Sequence, residues 1–370
     1  MTESDSLFLD AAVELARNGL YSTPPNPRVG CLIVRDGEVI GRGWHRRAGA
    51  AHAEAIALAD VRARGNERLL AGAPCFVSLE PCAHHGRTPP CADALIAARV
   101  GRVLIAADDP YPTVAGRGIE RMRAAGIRVE VHPRADAIEL NRGFIRLFTE
   151  GRPWVRVKVA ASLDGRTAMA SGESRWITSD AARVDVQAWR AQSGAIVTGI
   201  GTVLADDPLL TVRGDAFAVD GIVRQPLRVV VDRSLRTPPT AQLLRADGNT
   251  LIATTSPVGS DSGRALTAAG AELFERSGPS DDLDDVFAEL GRRGVSEVLV
   301  EAGPRLTGSV LRSDRWDEAI VYLAPKLLGR DARPFADLAI ERLADAVRGS
   351  VVDVTRCGDD VRVRILRIGQ

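Results

Sequence analysis

The sequence predicts an α/β protein built of two domains. Its 370 residues exceed what one ordinary hydrophobic core accommodates. Short strand patterns also alternate with helical patterns in both halves, which is typical of α/β folds. Between the halves, Thr149-Glu150-Gly151-Arg152-Pro153 has the glycine and proline of a linker. We therefore place one domain at residues 1–148 and a second at residues 154–370.

The first domain is expected to form a three-layer α/β/α sandwich around a central sheet. Apolar spacing, turn residues and breakers define its elements in chain order. They are a helix over 6–18, strands over 29–34 and 38–44 joined by Asp36-Gly37, a helix from His52, a strand over 74–79, a helix from Cys91, a strand over 103–107, a helix over 118–125, a strand over 129–131 and a helix over 135–148.

The second domain begins with an alternating strand, in which valines at 155, 157 and 159 flank Arg156 and Lys158. Further strands and one clear helix follow, and 215–225 and 256–262 are expected to be surface loops. The predicted elements are strands over 154–160, 195–199, 227–231, 250–254, 271–274, 297–300 and 318–323, a helix over 180–190 capped by Asp180, and a hairpin of 351–355 with 361–366.

The composition argues against several functional classes. Lys+Arg and Asp+Glu both number 48, so an overall basic surface for nucleic acid is not expected. No apolar run reaches the length of a membrane span, and the first residues lack the pattern of a signal peptide. Five cysteines, a small and odd number, fit a reduced cytoplasm. Of these, Cys31, Cys75 and Cys357 are expected to be buried thiols without chemistry of their own.

A metal-binding pattern lies between residues 51 and 92. His52, Cys82 and Cys91 are the nitrogen and sulfur ligands that suit zinc, and three protein ligands leave a fourth position for water. A His-x-Glu followed by Pro-Cys and a second cysteine is the signature of zinc-dependent base deaminases, whose glutamate, here Glu54, moves protons. Cys91 begins a predicted helix, where the N–H groups favour a thiolate. The alternatives are a capping or core histidine with buried cysteines, and a closed structural zinc site with His84 or His85 as fourth ligand.

The spacing of the two cysteines narrows the possible families. Eight residues separate Cys82 from Cys91, where the deaminase signature usually has two. This insert resembles that of the bifunctional deaminase–reductases of riboflavin biosynthesis. The second half agrees, since Lys158, Ser162-Leu-Asp-Gly165, Ser174-Arg-Trp-Ile-Thr178, Thr202-Val-Leu-Ala-Asp-Asp-Pro208 and Glu301-Ala-Gly303 resemble the reductase half of the same family. The resemblance covers essentially the whole chain and is weakest at 215–280.

The resemblance implies a fold and an activity for each half. The N-terminal half would be a cytidine-deaminase-like α/β/α sandwich, and the C-terminal half a dihydrofolate-reductase-like α/β domain that binds NADPH without a Rossmann fingerprint. The first would use zinc to deaminate a diaminopyrimidinone that carries a phosphoribosylamino group. The second would reduce the ribosyl group to ribityl with NADPH, and family members usually form homo-oligomers.

The resemblance also assigns roles to individual residues. For the deaminase these are the zinc ligands His52, Cys82 and Cys91, the proton shuttle Glu54, and the substrate residues Asn26, His45, His84 and Arg87, with Arg87 as a phosphate contact. For the reductase they are the NADPH residues Ala160, Trp176, Thr202, Asp206, Gly303, Pro304, Arg305, Leu306, Thr307, Gly308 and Ser309, and the substrate residues Ser174, Arg190, Leu210, Arg213 and Glu301. Lys158 and Glu301 would lie nearest the sugar carbon and act as catalytic groups. Arg190 and Arg213 would hold the phosphate; without the resemblance, both read as surface arginines.

Two features of the second half suggest a nucleotide site by themselves. Residues 298–309 read as a strand, a glycine-containing turn and a helix start, which directs N–H groups at an anion, although a plain βα turn has the same pattern. Arg233 follows the strand over 227–231, at the position where the adenosine ribose of a dinucleotide often lies. It is a candidate for the 2′-phosphate of NADPH, with an exposed loop arginine as the alternative.

The main rival function is a nucleic-acid base deaminase with an accessory C-terminal binding domain. Such an enzyme needs cationic surface and stacking side chains, and neither the balanced charge nor the 4% aromatic content favours it. Consumption of NADPH with the deaminated compound would discriminate between the two functions.

Overall fold

The structure of the chain, a computed structural model, describes residues 1–83, 89–111, 115–278 and 283–368. The chain divides into two compact units, Met1–Gly151 and Arg152–Gln370. Among the described residues, no helix combines the length and the apolar character needed to cross a membrane.

The first unit contains a five-stranded mixed sheet. Its strands are β1 (Gly30–Arg35), β2 (Glu38–Trp44), β3 (Pro74–Val77), β4 (Arg102–Ile105) and β5 (Arg128–Val131). Their spatial order is β2-β1-β3-β4-β5; β1 is antiparallel to β2 and β3, whereas β3, β4 and β5 are parallel. Because β3 and β4 run in parallel, their carboxyl ends meet at one edge of the sheet, where polar loop residues gather.

Helices cover both faces of this sheet, as the predicted sandwich requires. They are α1 (Glu3–Ala16), α2 (Ala53–Ala63), α3 (Cys91–Ala97), α4 (Arg117–Ala124), α5 (Ala135–Leu140) and α6 (Arg142–Glu150). Alternate residues of β1 enter different cores: Cys31 and Ile33 pack with α2, α3 and α4, and Leu32 and Val34 pack with α1, α5 and α6. The fold class predicted for this half is confirmed.

One predicted helix of this unit is wrong in its extent. The pattern over 135–148 predicts a single helix, whereas the structure has α5 and α6 with a break at Asn141. The Asn141 side chain accepts from the backbone N–H of Arg28 at 2.8 Å and donates to its carbonyl at 2.9 Å. These tertiary bonds hold Asn141, which is buried, in place between the two helices.

The second unit is organised around a nine-stranded mixed sheet and a small two-stranded one. The strands are β6 (Trp154–Ser162), β7 (Arg166–Ala168), β8 (Ala195–Gly199), β9 (Leu227–Val231), β10 (Thr250–Thr254), β11 (Ala271–Glu275), β12 (Glu297–Val300), β13 (Glu318–Ala324), β14 (Arg333–Pro334), β15 (Gly349–Cys357) and β16 (Asp360–Arg367). The large sheet has the order β11-β10-β9-β8-β12-β6-β13-β16-β15, and β7 pairs with β14. The pairs from β11 through β13 are parallel, and β16 is antiparallel to both neighbours.

The helices of the second unit include four that the sequence analysis did not predict. They are α7 (Asp180–Gln192), α8 (Ile200–Asp206), α9 (Gln242–Arg245), α10 (Asp261–Ala268), α11 (Asp284–Arg292) and α12 (Pro304–Arg312). The helices α8, α9, α10 and α11 were not expected, and α10 begins inside the predicted 256–262 loop. The predicted cap of α7 is wrong by one residue, because the Ser179 hydroxyl accepts the N–H of Ala182 and Asp180 is already helical.

The alternation along β6 separates packing from polar groups. Val155, Val157 and Val159 enter the main core of this unit. Arg156 and Lys158 therefore lie on the opposite face, where Arg156 contacts the ring of Trp189 in α7. This polar face leads to the second candidate site.

Candidate active sites

The three predicted zinc ligands come together in the first unit. His52 Nδ1 lies 3.6 Å from Cys82 Sγ and 3.3 Å from Cys91 Sγ. Around a tetrahedral zinc ion, with the usual Zn–S and Zn–N bond lengths, a sulfur and a nitrogen ligand are separated by about 3.5 Å. The donor set and its spacing therefore fit zinc, and this is the only group of three potential ligands found among the described residues.

Each ligand is delivered by the end of an element. His52 is the N-cap of α2, Cys82 follows β3, and Cys91 is the first residue of α3. The backbone N–H of Cys91 points at Cys82 Sγ, at 3.4 Å. This helix end, which is expected to favour a thiolate at Cys91, thus also donates an N–H to the sulfur of Cys82. Hydrogen bonds from the Cys91 thiol, His52 and this N–H lower the pKa of Cys82 to about 4.

Glu54 is placed beside this cluster by the first turn of α2. It is 3% exposed. Burial, assisted by the negative charge of Cys82, raises the pKa of Glu54 to about 7. A carboxyl group that exchanges its proton near neutral pH is suited to carrying protons between water and a substrate.

Asn26 and His45 are also brought to this site. Asn26 Nδ2 lies 3.0 Å from His45 Nε2, and His45 Nδ1 lies 3.0 Å from the carbonyl oxygen of Ala51. The His45 ring meets the His52 ring edge-on, with centroids 5.4 Å apart. Burial, together with the nearby His52, lowers the pKa of His45, although the Ala51 carbonyl opposes the shift.

The two other residues predicted for the first substrate, His84 and Arg87, lie outside the described residues, as does His85. Cys31, Cys75 and Cys357 are buried free thiols, as predicted.

The second unit contains a cavity of about 1510 Å³. Its polar centre is Glu301, which directly follows β12. Arg190 Nε and Nη2 contact the two carboxylate oxygens of Glu301 at 2.5 and 2.9 Å, and Lys158 Nζ lies 3.8 Å from Oε2. Burial alone would raise the pKa of Glu301, but the charges of Arg190 and Lys158 outweigh it and lower this pKa to about 2. Burial lowers the pKa of Lys158 against the pull of Glu301.

Most residues predicted for NADPH and the second substrate line this cavity. They are Lys158, Ala160, Ser174, Trp176, Arg190, Thr202, Asp206, Leu210, Arg213, Arg233, Glu301, Gly303, Pro304, Arg305, Leu306 and Ser309. Thr307 and Gly308 are the exceptions. The Thr307 hydroxyl donates to the carbonyl of Ala302 at 3.1 Å. A Cβ on Gly308 would lie 2.2 Å from the carbonyl oxygen of Asp337, so this glycine serves close backbone packing.

The cavity also has lining residues that the sequence analysis missed. Arg236 lies three residues beyond Arg233, and its position after the same strand was an available signal. The pairing of β14 with β7 places Arg333 at the cavity, and no local sequence pattern predicts this pairing. Arg183 packs over the ring of Trp176 with its guanidinium carbon 4.2 Å from the centroid.

Comparison with known proteins identifies the family of each half of the chain. Residues 2–107 match the family model of the cytidine and deoxycytidylate deaminase zinc-binding region, and residues 153–363 match that of the RibD C-terminal domain. The chain is 45% identical to the riboflavin biosynthesis protein RibD of Escherichia coli (strain K12), over 98% of this chain and 99% of that protein. The chain belongs to the RibD family. It is a bifunctional enzyme of riboflavin biosynthesis with a deaminase half and a reductase half, and its cofactors are zinc and NADPH.

Solved structures support the same family. RibD of Acinetobacter baumannii (form 1) is 43% identical and superposes with a TM-score of 0.91, covering 99% of both chains. A diaminohydroxyphosphoribosylaminopyrimidine deaminase/5-amino-6-(5-phosphoribosylamino)uracil reductase from Thermotoga maritima is 31% identical with a TM-score of 0.88, again covering 99% of both chains. The second half matches the RibD reductase rather than a nucleic-acid-binding domain. A nucleic-acid base deaminase with an accessory binding domain is therefore not favoured.

Proposed function

We propose that this chain performs two successive reactions on one pyrimidine nucleotide. The domain at residues 1–148 hydrolyses the ring amino group of a diaminopyrimidinone that carries a phosphoribosylamino group, releasing ammonia. The domain at residues 154–370 then reduces the ribosyl group of the product to ribityl. The deaminase and reductase activities for which the Thermotoga maritima relative is named support this substrate class.

In the first reaction, His52, Cys82 and Cys91 hold the zinc ion. When bound, zinc supplies a water molecule acidic enough to be deprotonated near neutral pH. Glu54 would take one proton of the water and give it to the ring nitrogen, and would then carry the second proton to the amino group, which leaves as ammonia. Its pKa of about 7 supports this role, because the carboxyl group can both accept and donate at working pH. Asn26, His84 and Arg87 bind the substrate, with Arg87 on its phosphate.

In the second reaction, NADPH would supply, when bound, the hydride that reduces the sugar carbon of the open-chain imine. Lys158 donates a proton to the imine nitrogen, and Glu301 holds the Lys158 ammonium in place. Their separation of 3.8 Å and their low side-chain exposure, 18% for Lys158 and 9% for Glu301, support this pairing. A buried ion pair excludes bulk water and keeps a proton donor aligned with the reacting carbon.

The two arginines of the substrate site are assigned different tasks. The Arg190 guanidinium already donates hydrogen bonds to the Glu301 carboxylate and, at 3.1 Å, to the carbonyl of Thr211. We therefore assign Arg190 to orienting Glu301. The side chain of Arg213 lines the cavity, is exposed, and makes no hydrogen bond within the described part of the chain. Arg213 is thus the better candidate for the substrate phosphate, with Ser174 and Leu210 beside it.

One wall of the cavity would hold NADPH, with Arg233 binding its 2′-phosphate; this wall is formed by Ala160, Trp176, Thr202, Asp206 and the start of α12. The N-terminus of α12 supports this placement, because Gly303, Pro304 and Arg305 line the cavity and no side chain of the described residues caps this helix end. Thr307 and Gly308 support the helix from behind rather than touching the cofactor.

The observation that carries the proposal is the separation of two complete sets of groups. The metal ligands and proton shuttle belong to one compact unit, and the Lys158–Glu301–Arg190 cluster belongs to the other. The test is a stepwise assay that follows ammonia release from the diaminopyrimidinone and NADPH oxidation with the deaminated product separately. The proposal expects both activities, and absence of either in zinc-loaded protein would overturn the corresponding half.

We also propose that the chain assembles as a homo-oligomer. The edge strand β15 supports this, since Val351, Val352 and Val354 are 57%, 47% and 63% exposed. An exposed apolar edge strand in a soluble enzyme is usually covered by another chain. Light scattering of the purified protein would reveal a mass above 39.5 kDa if the assembly forms.

We propose the cytoplasm as its compartment. Five free cysteines, two of them needed as thiolates for zinc, support a reducing environment. Localisation of the tagged protein in a cell fraction would test this.

A further inference from the structure

His45 has no ring nitrogen left for a substrate. It follows β2 and is 3% exposed. Nδ1 is taken by the carbonyl oxygen of Ala51 and Nε2 by the amide of Asn26, each at 3.0 Å. Ala51 directly precedes the metal ligand His52. His45 therefore connects the ligand-bearing segment to the loop that carries Asn26.

These contacts determine where the protons lie. A carbonyl oxygen only accepts, so His45 Nδ1 carries the hydrogen of the neutral ring. Nε2 is then an acceptor, and Asn26 turns its NH₂ toward it. The Asn26 Oδ1 is consequently directed away from His45, as an acceptor fixed in orientation. An unsupported asparagine amide would rotate and present either atom.

We propose that His45 is a positioning residue that fixes the Asn26 amide, so that Asn26 Oδ1 reads a ring N–H of the pyrimidine. This inference rests on the proposed deaminase function. The favoured bases have an N–H next to the amino-bearing carbon. Cytosine has a ring C–H or a lone pair at the corresponding positions and gives this oxygen nothing to accept. The His45 ring contacts the ring of the metal ligand His52, with centroids 5.4 Å apart, so the residue that fixes Asn26 adjoins the metal cluster.

Two substitutions of His45 separate its two contacts. In His45→Asn the shorter amide keeps a donor near the Nδ1 position, so the bond to Ala51 is retained and Asn26 loses its support. In His45→Gln the longer amide places an acceptor near the Nε2 position and continues to hold Asn26. We expect His45→Asn to raise KM for ammonia release about tenfold, the cost of one misaligned hydrogen bond, with a smaller change in kcat. His45→Gln should recover most of that loss.

A double-mutant cycle with Asn26→Ala decides between positioning and direct binding. If His45 acts through Asn26, adding His45→Asn to Asn26→Ala should change KM less than about twofold, because the shared contact is already gone. A further tenfold rise would overturn the inference, as would His45→Gln being no better than His45→Asn. Loss of zinc from His45→Asn would equally contradict it, because His45 would then be supporting His52.

The rate of NADPH oxidation with the deaminated product controls for folding in every variant. A wild-type protein that released no ammonia would overturn the proposed deaminase function and this inference with it. An active wild type with additive losses would overturn this inference alone.

Discussion

Neighbouring charges decide the chemistry of single residues that are removed from water in this enzyme. Glu54 is buried and the Glu301 side chain is only 9% exposed, yet the pKa of Glu54 rises to about 7 and that of Glu301 falls to about 2. The difference lies in their neighbours, since Glu54 faces the negative charge of Cys82 and Glu301 faces two cations. One carboxyl group is therefore suited to exchanging protons, and the other to remaining charged.

The metal site yields the first prediction. Cys82→Ser should lose both the zinc and ammonia release, because a serine hydroxyl does not deprotonate to replace a thiolate ligand. Metal analysis should find one zinc per chain in the wild type and little in the variant. Cys357→Ser, a buried cysteine of the other unit, should retain the zinc. Full zinc occupancy after substitution of His52, Cys82 and Cys91 together would disprove the assignment.

The second prediction concerns stability and pH at Glu301. Its pKa is about 4.5 in the unfolded chain and about 2 in the folded one. The folded state therefore gains stability above pH 4.5, and that gain is lost as the pH falls from 4.5 toward 2. Such a shift corresponds to roughly 3 kcal/mol. Urea unfolding at pH 7 should show Glu301→Gln less stable by an amount of this order, and the difference should shrink below pH 4.5.

Asp331→Asn is the matched control for this experiment. Asp331 pairs with Arg330 at the surface, where both side chains are more than four-fifths exposed. Its unfolding midpoint should match the wild type at each pH. A Glu301→Gln deficit that stays constant down to pH 3 would mean that packing, not charge, explains the loss.

The residues that sequence patterns identified are those with a strict local or motif signature. His52, Glu54, Cys82 and Cys91 follow from ligand type and spacing. Arg333 could not be found this way, because strand pairing across 165 residues brings β14 to β7. The ion pair between Arg190 and Glu301 could not be predicted from the sequence either, since the two residues belong to different elements.

At the scale of elements, strands were predicted best. The bounds of β2, β8, β9, β10 and β12 match the structure residue for residue. Apolar runs between turn residues give strands a sharp local signature. Helices that depend on tertiary contacts were predicted less well: Asn141 interrupts the predicted 135–148 helix by bonding to Arg28, and α10 and α11 have too short a pattern to stand out.

Two glycines of the α12 segment yield the third prediction. Gly308→Ala should lower the free energy of unfolding by about 1–3 kcal/mol, because its Cβ would meet the backbone of Asp337. Its KM for NADPH should stay near the wild-type value. Gly303→Ala should leave the free energy of unfolding nearly unchanged, because the nearest atom to its Cβ would be Thr202 Oγ1, at 3.9 Å. It should raise KM for NADPH, because this Cβ would project into the proposed cofactor site. Equal effects of both variants on KM would contradict this division.

The turn after β9 yields the fourth prediction. Asp232 accepts from the N–H and hydroxyl of Thr237 at 2.7 and 2.8 Å, and the Arg233 carbonyl accepts from Thr254 at 3.0 Å. The turn is therefore held firmly while the Arg233 side chain remains exposed at the cavity. Arg233→Ala should reduce the preference for NADPH over NADH by about 10- to 100-fold, through loss of charge-assisted bonds to the 2′-phosphate.

Arg236→Ala is the comparison for that measurement, because Arg236 lines the same cavity three residues away. Selectivity that is unchanged in Arg233→Ala and reduced in Arg236→Ala would transfer the role to Arg236. Unchanged selectivity in both would defeat the assignment of the turn.

At the scale of the whole molecule, the two chemistries divide as the chain does. All the described residues assigned to deamination lie in Met1–Gly151, and all those assigned to reduction lie in Arg152–Gln370. The domain division was predictable from the linker composition and the family resemblance.

The most direct test of this division measures ammonia release and NADPH oxidation separately in two variants. Glu54→Gln keeps the metal ligands but cannot accept the proton of water, so ammonia release should fall by ~10²–10⁴-fold. The same variant should reduce the deaminated compound at a near-normal rate. Glu301→Gln should slow NADPH oxidation and leave ammonia release intact. Loss of both activities from either single change, in folded and zinc-loaded protein, would contradict the account.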